Sequence, residues 1–174
     1  DANEFVQQVK MHAAKIEDLF GKKPTAFRNA ELIYSDEIGE LVSKMGYKTI
    51  LLDEAHQVLG WKSPNYVYTH EYLPKLKLLV RNHKLSDDIA FRFSNRSWVD
   101  FPLSAEKFVG WLNAMPEEEK IINLWMGYEA LGVFQQPDSG IYLITLWSSK
   151  SDLFCPRKLL RKWKLQVVLV LVTL

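Results

Sequence analysis

The chain has 174 residues, with 22 Lys and Arg against 21 Asp and Glu, a formal net charge of +1. That balance argues against a dedicated nucleic-acid binder, and 48% hydrophobic with 25% charged residues excludes a disordered, collagenous or disulfide-built chain. The single cysteine, Cys155, rules out an internal disulfide and fits a reducing compartment.

In chain order, Phe5, Val9, Ile16 and Leu19-Phe20 recur at helical spacing, so residues 3–20 are predicted as an amphipathic helix. Asp1 or Asn3 can cap it, and Gly21 then Pro24 stop it. Thr25 to Phe27 is a short strand candidate that ends in the polar cluster Arg28-Asn29-Ala30-Glu31. A second helix is expected from about Asp36 to Met45, capped by Ser35 or Asp36 and ended by Gly46. Tyr47 to Leu52 is aliphatic and ends in Asp53-Glu54. His56 to Tyr72, with Gly60, Pro64, Asn65 and several aromatics, is expected to be a long ordered loop. Leu76 to Val80 is a further strand, Ser86 starts a short helix to Phe93, Ser104 caps another to about Ala114, and Ile121 to Met126 is a strand again. Strands alternate with helices and each strand ends in polar residues, the pattern of a parallel α/β sheet or barrel. In barrels the loops after the strands converge, which selects Glu31, Asp53, Glu54, Arg81 and Glu129 as candidate functional residues. A complete eight-fold barrel takes about 250 residues, so this length holds only part of one.

No internal repeat is visible, and the longest apolar stretch, Val167 to Leu174, is far short of the roughly 20 residues a membrane-spanning helix needs. His12, His56, His70 and His83 lie far apart and form no zinc motif, so no metal site is expected; His56 and His70 fall in the loop, where sugar contact is open to them. No Gly-rich phosphate loop is present and no cofactor is implied. Carboxylates at strand ends together with many aromatics fit glycosidic chemistry, which needs two carboxyl groups and aromatic faces for the sugar rings. Trp61, Tyr66 and Tyr68 in the loop are the better stacking candidates. Trp111 and Trp125, on a predicted helix and strand, are expected to be core.

Three ordered blocks then carry a resemblance. Phe27-Arg28-Asn29-Ala30-Glu31-Leu32-Ile33-Tyr34 resembles the nucleophile motif of family 57 glycoside hydrolases, the α-amylase and 4-α-glucanotransferase group. The stretch from Arg81 to Phe93 resembles a conserved block of the amylase-type members, and Asn123 to Gly132 resembles their acid-bearing motif. The resemblance covers residues 1–140. It implies part of an incomplete (β/α)7 TIM-like barrel, an α-1,4-glucan polysaccharide or oligosaccharide as partner, and a cytoplasmic location. It also implies Glu31 as catalytic nucleophile of a retaining mechanism, with Arg28, Trp61 and Glu129 contacting substrate. The position of the family's proton-donating Asp is Gly127 here, which implies impaired hydrolysis, and Glu129 two residues on reaches that place only if the loop shifts. Two alternatives stand beside this. Glu31 is a structural carboxylate paired with Arg28, or the chain is a non-catalytic α-glucan-binding pseudoenzyme.

The charge balance conceals a seam at Gly140. Residues 1–140 hold 16 basic and 20 acidic side chains, a net of −4, whereas residues 141–174 hold 6 and 1, a net of +5. The family's other motifs are absent, and the tail from Ile141 departs from the resemblance, as a shifted reading frame or truncation would make it. A basic membrane-surface helix over Arg157 to Lys164 is the weaker alternative, because Val167 to Leu174 suits a strand better than a helix.

Overall fold

The computed structural model describes residues 1–119, 121–131 and 166–172. They form two compact units, residues 1–53 with 67–80, and residues 54–66 with those from 81 onward.

The first unit opens with helix α1 (Ala2–Phe20), capped by Asp1 Oδ1, which accepts from Asn3 N at 2.9 Å, and closed by Gly21 at φ 67°. Phe5 and Val9 pack on the core, while Leu19 and Phe20 at the far end are exposed. Strands β1 (Ala26–Arg28), β2 (Thr49–Leu52), β3 (Val67–Thr69) and β4 (Lys77–Val80) make one sheet in the order β1-β2-β4-β3. The first three neighbours in that order are parallel, and β3 lies antiparallel on the β4 edge. Register aligns Phe27, Ile50, Leu78 and Tyr68 in one row across the sheet, and that row is the floor of the core. Helix α2 (Asp36–Lys44), whose Ser35 cap accepts from Ile38 N, drives the fully buried Val42 into the same cluster.

The expected loop at 56–72 is more structured than its composition suggests. It contains the short helix α3 (His56–Leu59), which belongs to the second unit, and β3, which belongs to the first. Val67-Tyr68-Thr69 is too short to show alternation, and its strand state depends on pairing with Leu79, Leu78 and Lys77. His70 is the second departure. It is a structural residue, buried to 1% exposure, rather than a sugar contact. Its Nδ1 accepts from Tyr72 N at 3.1 Å, so Nε2 carries the proton and donates to the Asp36 carbonyl at 3.1 Å. The ring lies against Gly39, where an added Cβ would stand 2.7 Å from His70 Cδ2 and 3.0 Å from Tyr34 Oη.

In the second unit, helix α4 (His83–Asp87) begins three residues earlier than Ser86, because Asn82 Oδ1 accepts from Leu85 N and caps it; a π turn over Asp88–Arg92 continues it. Helix α5 (Ala105–Asn113) has the expected Ser104 cap, with Oγ accepting from Lys107 N. Strand β5 (Ile121–Gly127) is buried along its length except at Gly127, and pairs in parallel with β6 (Gln166–Val172), which overlaps the stretch from Val167 expected to be a strand. Burial on both faces accounts for its continuous apolar run. Ile122, Leu124 and Met126 face a core shared with Leu85, Ile89 and Phe108. The seam at Gly140 and the basic stretch at Arg157 to Lys164 lie outside the described residues.

Two outcomes are expected. Gly39→Ala gains about 1 kcal/mol of helix propensity, but overpacking against a ring that cannot retreat costs about 1–3 kcal/mol. Urea unfolding should therefore show net destabilisation, which His70→Ala in the same chain relieves. Burial, and then the hydrogen bond and charge of Asp36, push the Tyr34 hydroxyl above the ordinary tyrosine range. A group raised on folding contributes stability that is complete below its unfolded value and lost above it. Stability should thus fall above about pH 10, less steeply in Tyr34→Phe; the slope that remains includes Tyr47, also raised by burial.

Candidate active site

In the first unit, β1 ends at Arg28, and Asn29 Oδ1 accepts from Ala30 N to start a single 3-10 turn, Ala30–Leu32. Inside that turn Glu31 sits at φ 50° and Leu32 at φ 57°, two consecutive left-handed residues, neither of them glycine. Each such residue costs about 1–2 kcal/mol, and backbone held this way concentrates at functional sites. Asn29 Nδ2 donates to the Ile33 carbonyl and Asp53 N donates to the Leu32 carbonyl at 3.3 Å, so the turn is clamped to the end of β2. Asp53 is thus joined through the backbone to Leu32, the residue after Glu31.

The Glu31 side chain is exposed and, among the described residues, makes no hydrogen bond or ion pair, so the structural alternative of a pair with Arg28 is not formed. Arg28 lies one residue beyond Phe27 and so on the opposite face of the sheet, in register with Leu51. Its Nε is buried with no acceptor.

The second unit binds its strand-end charges tightly. Arg81, just past β4, spends its guanidinium on three partners. Nη2 meets Asp87 Oδ1 at 2.6 Å, Nη1 meets His83 Nδ1 at 3.0 Å, and Nε donates to the Trp125 carbonyl on β5 at 2.9 Å. Because guanidinium only donates, His83 Nδ1 accepts, leaving Nε2–H directed at Asp87 Oδ2, 3.1 Å away. Glu54 accepts from His83 N at 3.1 Å and lies 3.2 Å from His56 Nδ1. Glu54 and Arg81 are therefore brought together through His83. The i, i+4 spacing of His83 and Asp87 was the available signal for this network, and it gains meaning only once the helix is seen to begin at His83.

Trp61, after the Gly60 turn, is 92% exposed, an open indole face. Trp125 is buried and Trp111 packs beside the core against Phe108 and Trp98, as expected of both; Lys84 and Lys107 lie over the Trp111 ring. A cavity of about 460 Å³ in this unit is lined by Glu54, Asn65, Asn82, Lys84, Asp100 and Trp111. At the end of β5, Gly127 is followed by a 3-10 turn, Tyr128–Leu131, that carries Glu129. Among the described residues, no three His, Cys, Asp or Glu side chains converge as metal ligands would, and no helix is long and apolar enough to cross a membrane.

Known proteins agree with the class this geometry suggests, strand-end carboxylates on a parallel α/β scaffold. Residues 1–158 match the sequence profile of Glycosyl hydrolase family 57. The "Putative alpha-amylase" of Methanocaldococcus jannaschii is 41% identical over 140 residues, 80% of this chain and 29% of that relative. No solved structure matches. The chain is thus of glycoside hydrolase descent, and it belongs to glycosyl hydrolase family 57. It spans under a third of the length of that curated relative.

The Arg81–Asp87 pair, with side chains only 12% and 14% exposed, should matter to stability far more than a surface pair. Arg81→Met leaves the largely covered Asp87 with His83 as its remaining partner and is expected to cost about 3 kcal/mol in denaturant unfolding. Lys44→Met, which breaks an exposed pair with Glu40, should cost under about 0.5 kcal/mol.

Proposed function

We propose that this chain is the nucleophile-bearing part of an α-amylase-like retaining glycoside hydrolase acting on α-1,4-glucans such as starch, glycogen or maltooligosaccharides. Its parallel strands are part of an incomplete (β/α)7 barrel in a cytoplasmic enzyme. The observation that carries the proposal is Glu31, a carboxylate without partners among the described residues, held out by two consecutive left-handed residues within a segment that resembles the family's nucleophile motif. A carboxylate left free of cations and aimed by a strained turn suits attack on an anomeric carbon, which yields a covalent glycosyl-enzyme and retained configuration. The Arg28 Nε, buried without an acceptor, supports a substrate-binding role for that residue. Trp61 supplies an open face for a sugar ring, and Glu129 a further polar contact. The missing side chain at Gly127 weakens acid assistance, a contribution typically worth about 10²- to 10⁴-fold, so turnover is slow.

Mass spectrometry of the chain mixed with an activated maltosyl fluoride should show a glycosyl adduct on Glu31, absent in Glu31→Gln, with retained configuration in the product. An adduct that persists in Glu31→Gln, or none in either protein, would sink the proposal. Glu31→Gly should also raise stability by about 1 kcal/mol, since it relieves the left-handed strain while removing the nucleophile.

A further inference from the structure

No polar contact among the described residues aims the Glu31 side chain, so the backbone beneath it is left to direct the carboxylate. That backbone is unfavourable by itself, with Glu31 at φ 50° and Leu32 at φ 57° in the left-handed region that L residues avoid. The chain is fixed on either side of the turn, upstream by the pairing of Arg28 with Leu51 and downstream by the Ser35 cap of α2. Neither anchor acts on the segment from Ala30 to Ile33 itself.

Asn29 acts there at three points. Its carbonyl accepts from Leu32 N at 3.1 Å, its Oδ1 accepts from Ala30 N at 3.0 Å, and its Nδ2 donates to the Ile33 carbonyl at 3.1 Å. One half-buried side chain thus ties the residue before Glu31 to the residue two beyond it. Bridging an amide N–H and a carbonyl in this way takes an acceptor and a donor on separate atoms of one short side chain, which asparagine has and an ionised aspartate lacks. The other tie on the turn, from Asp53 N to the Leu32 carbonyl at 3.3 Å, is longer and holds one residue only.

We propose that Asn29 is the positioning residue for the nucleophile, its amide locking the two left-handed residues so that the Glu31 carboxylate is held in the orientation of attack. The role rests on the nucleophile assigned to Glu31 above. Asn29 makes and breaks no bond to substrate. With Oδ1 and Nδ2 spent on the backbone, its effect falls on the rate of attack and not on affinity for the sugar, and misplacing a reacting atom by about 1 Å costs on the order of 10²-fold.

The test uses the full chain and α-maltosyl fluoride, and follows by mass spectrometry the rate of adduct formation, in which a Glu31 oxygen bonds to C1 as the C1–F bond breaks and fluoride leaves. Asn29→Ala should lower the limiting rate by about 10²-fold with the half-saturating concentration unchanged. Asn29→Asp keeps the acceptor for Ala30 N but loses the donor to Ile33, and it should be slow as well, a result that can be read even where the alanine variant does not fold. Adding Leu32→Gly to Asn29→Ala removes the left-handed penalty at one position, so the urea midpoint should recover while the rate stays low, because glycine permits the turn without fixing it. Recovery of the rate together with stability would make Asn29 merely structural and overturn the role. So would a wild-type limiting rate in both single Asn29 variants, or a raised half-saturating concentration at an unchanged limiting rate; each of these, with Glu31→Gln still blocking the adduct, leaves the nucleophile assignment standing. A wild-type chain that forms no adduct on Glu31 overturns that assignment and this role together.

Discussion

Parallel strands leave a sheet by the same edge, and each must return to the opposite edge before the next can pair. In the first unit this places the residues after β1 and β2 side by side, and the amide of Asp53 closes on the carbonyl of Leu32 as a result. The polar ends of strands are thereby gathered without any long-range design in the sequence. The apolar row of Phe27, Ile50, Leu78 and Tyr68 depends on the same register, since a slip of one residue would turn Phe27 out and Arg28 in. In the second unit, parallel pairing of β5 with β6 supports a strand buried on both faces.

Charge is then divided between groups that bind one another and groups that stand apart. Arg81, His83, Asp87 and Glu54 saturate one another, and the Arg81 contact with the Trp125 carbonyl fixes the start of the segment that ends in Gly127. Among the described residues Glu31 and Glu129 are the opposite case, carboxyls without a hydrogen bond or ion pair. For Glu31 the restraint comes from the backbone, through two left-handed residues clamped by Asn29 and Asp53. For Glu129 it comes from packing into a space that only glycine leaves open. The left-handed pair at Glu31 and Leu32 costs local stability, and backbone held this way concentrates at functional sites.

Helix starts and stops were legible because caps are local chemistry: Asp1, Ser35 and Ser104 each accept from an amide two or three residues on. The Asn82 cap is hidden in the sequence because Ser86 offers a competing start, and the choice between them depends on helical contacts that form only in the fold. β3 was hidden for a different reason. Three residues carry no period, and their strand state resides in the partner. His70 could not be told from a ligand-binding loop histidine until Gly39, Asp36 and Tyr72 were seen around it.

From its residues alone the chain is set as an alternating α/β protein with carboxylates at strand ends, and the block around Glu31 announces the family, because periodicity, caps and motifs act over short separations. Only tertiary structure decided which of those carboxylates are neutralised and which stand free. That outcome depends on residues dozens of positions apart, such as Glu54 with His83 and Arg81 with Trp125. It likewise decided that the glycine at 127 is a vacancy filled by Glu129, because whether a missing side chain leaves a void or a berth depends on where a neighbouring turn carries its carboxyl.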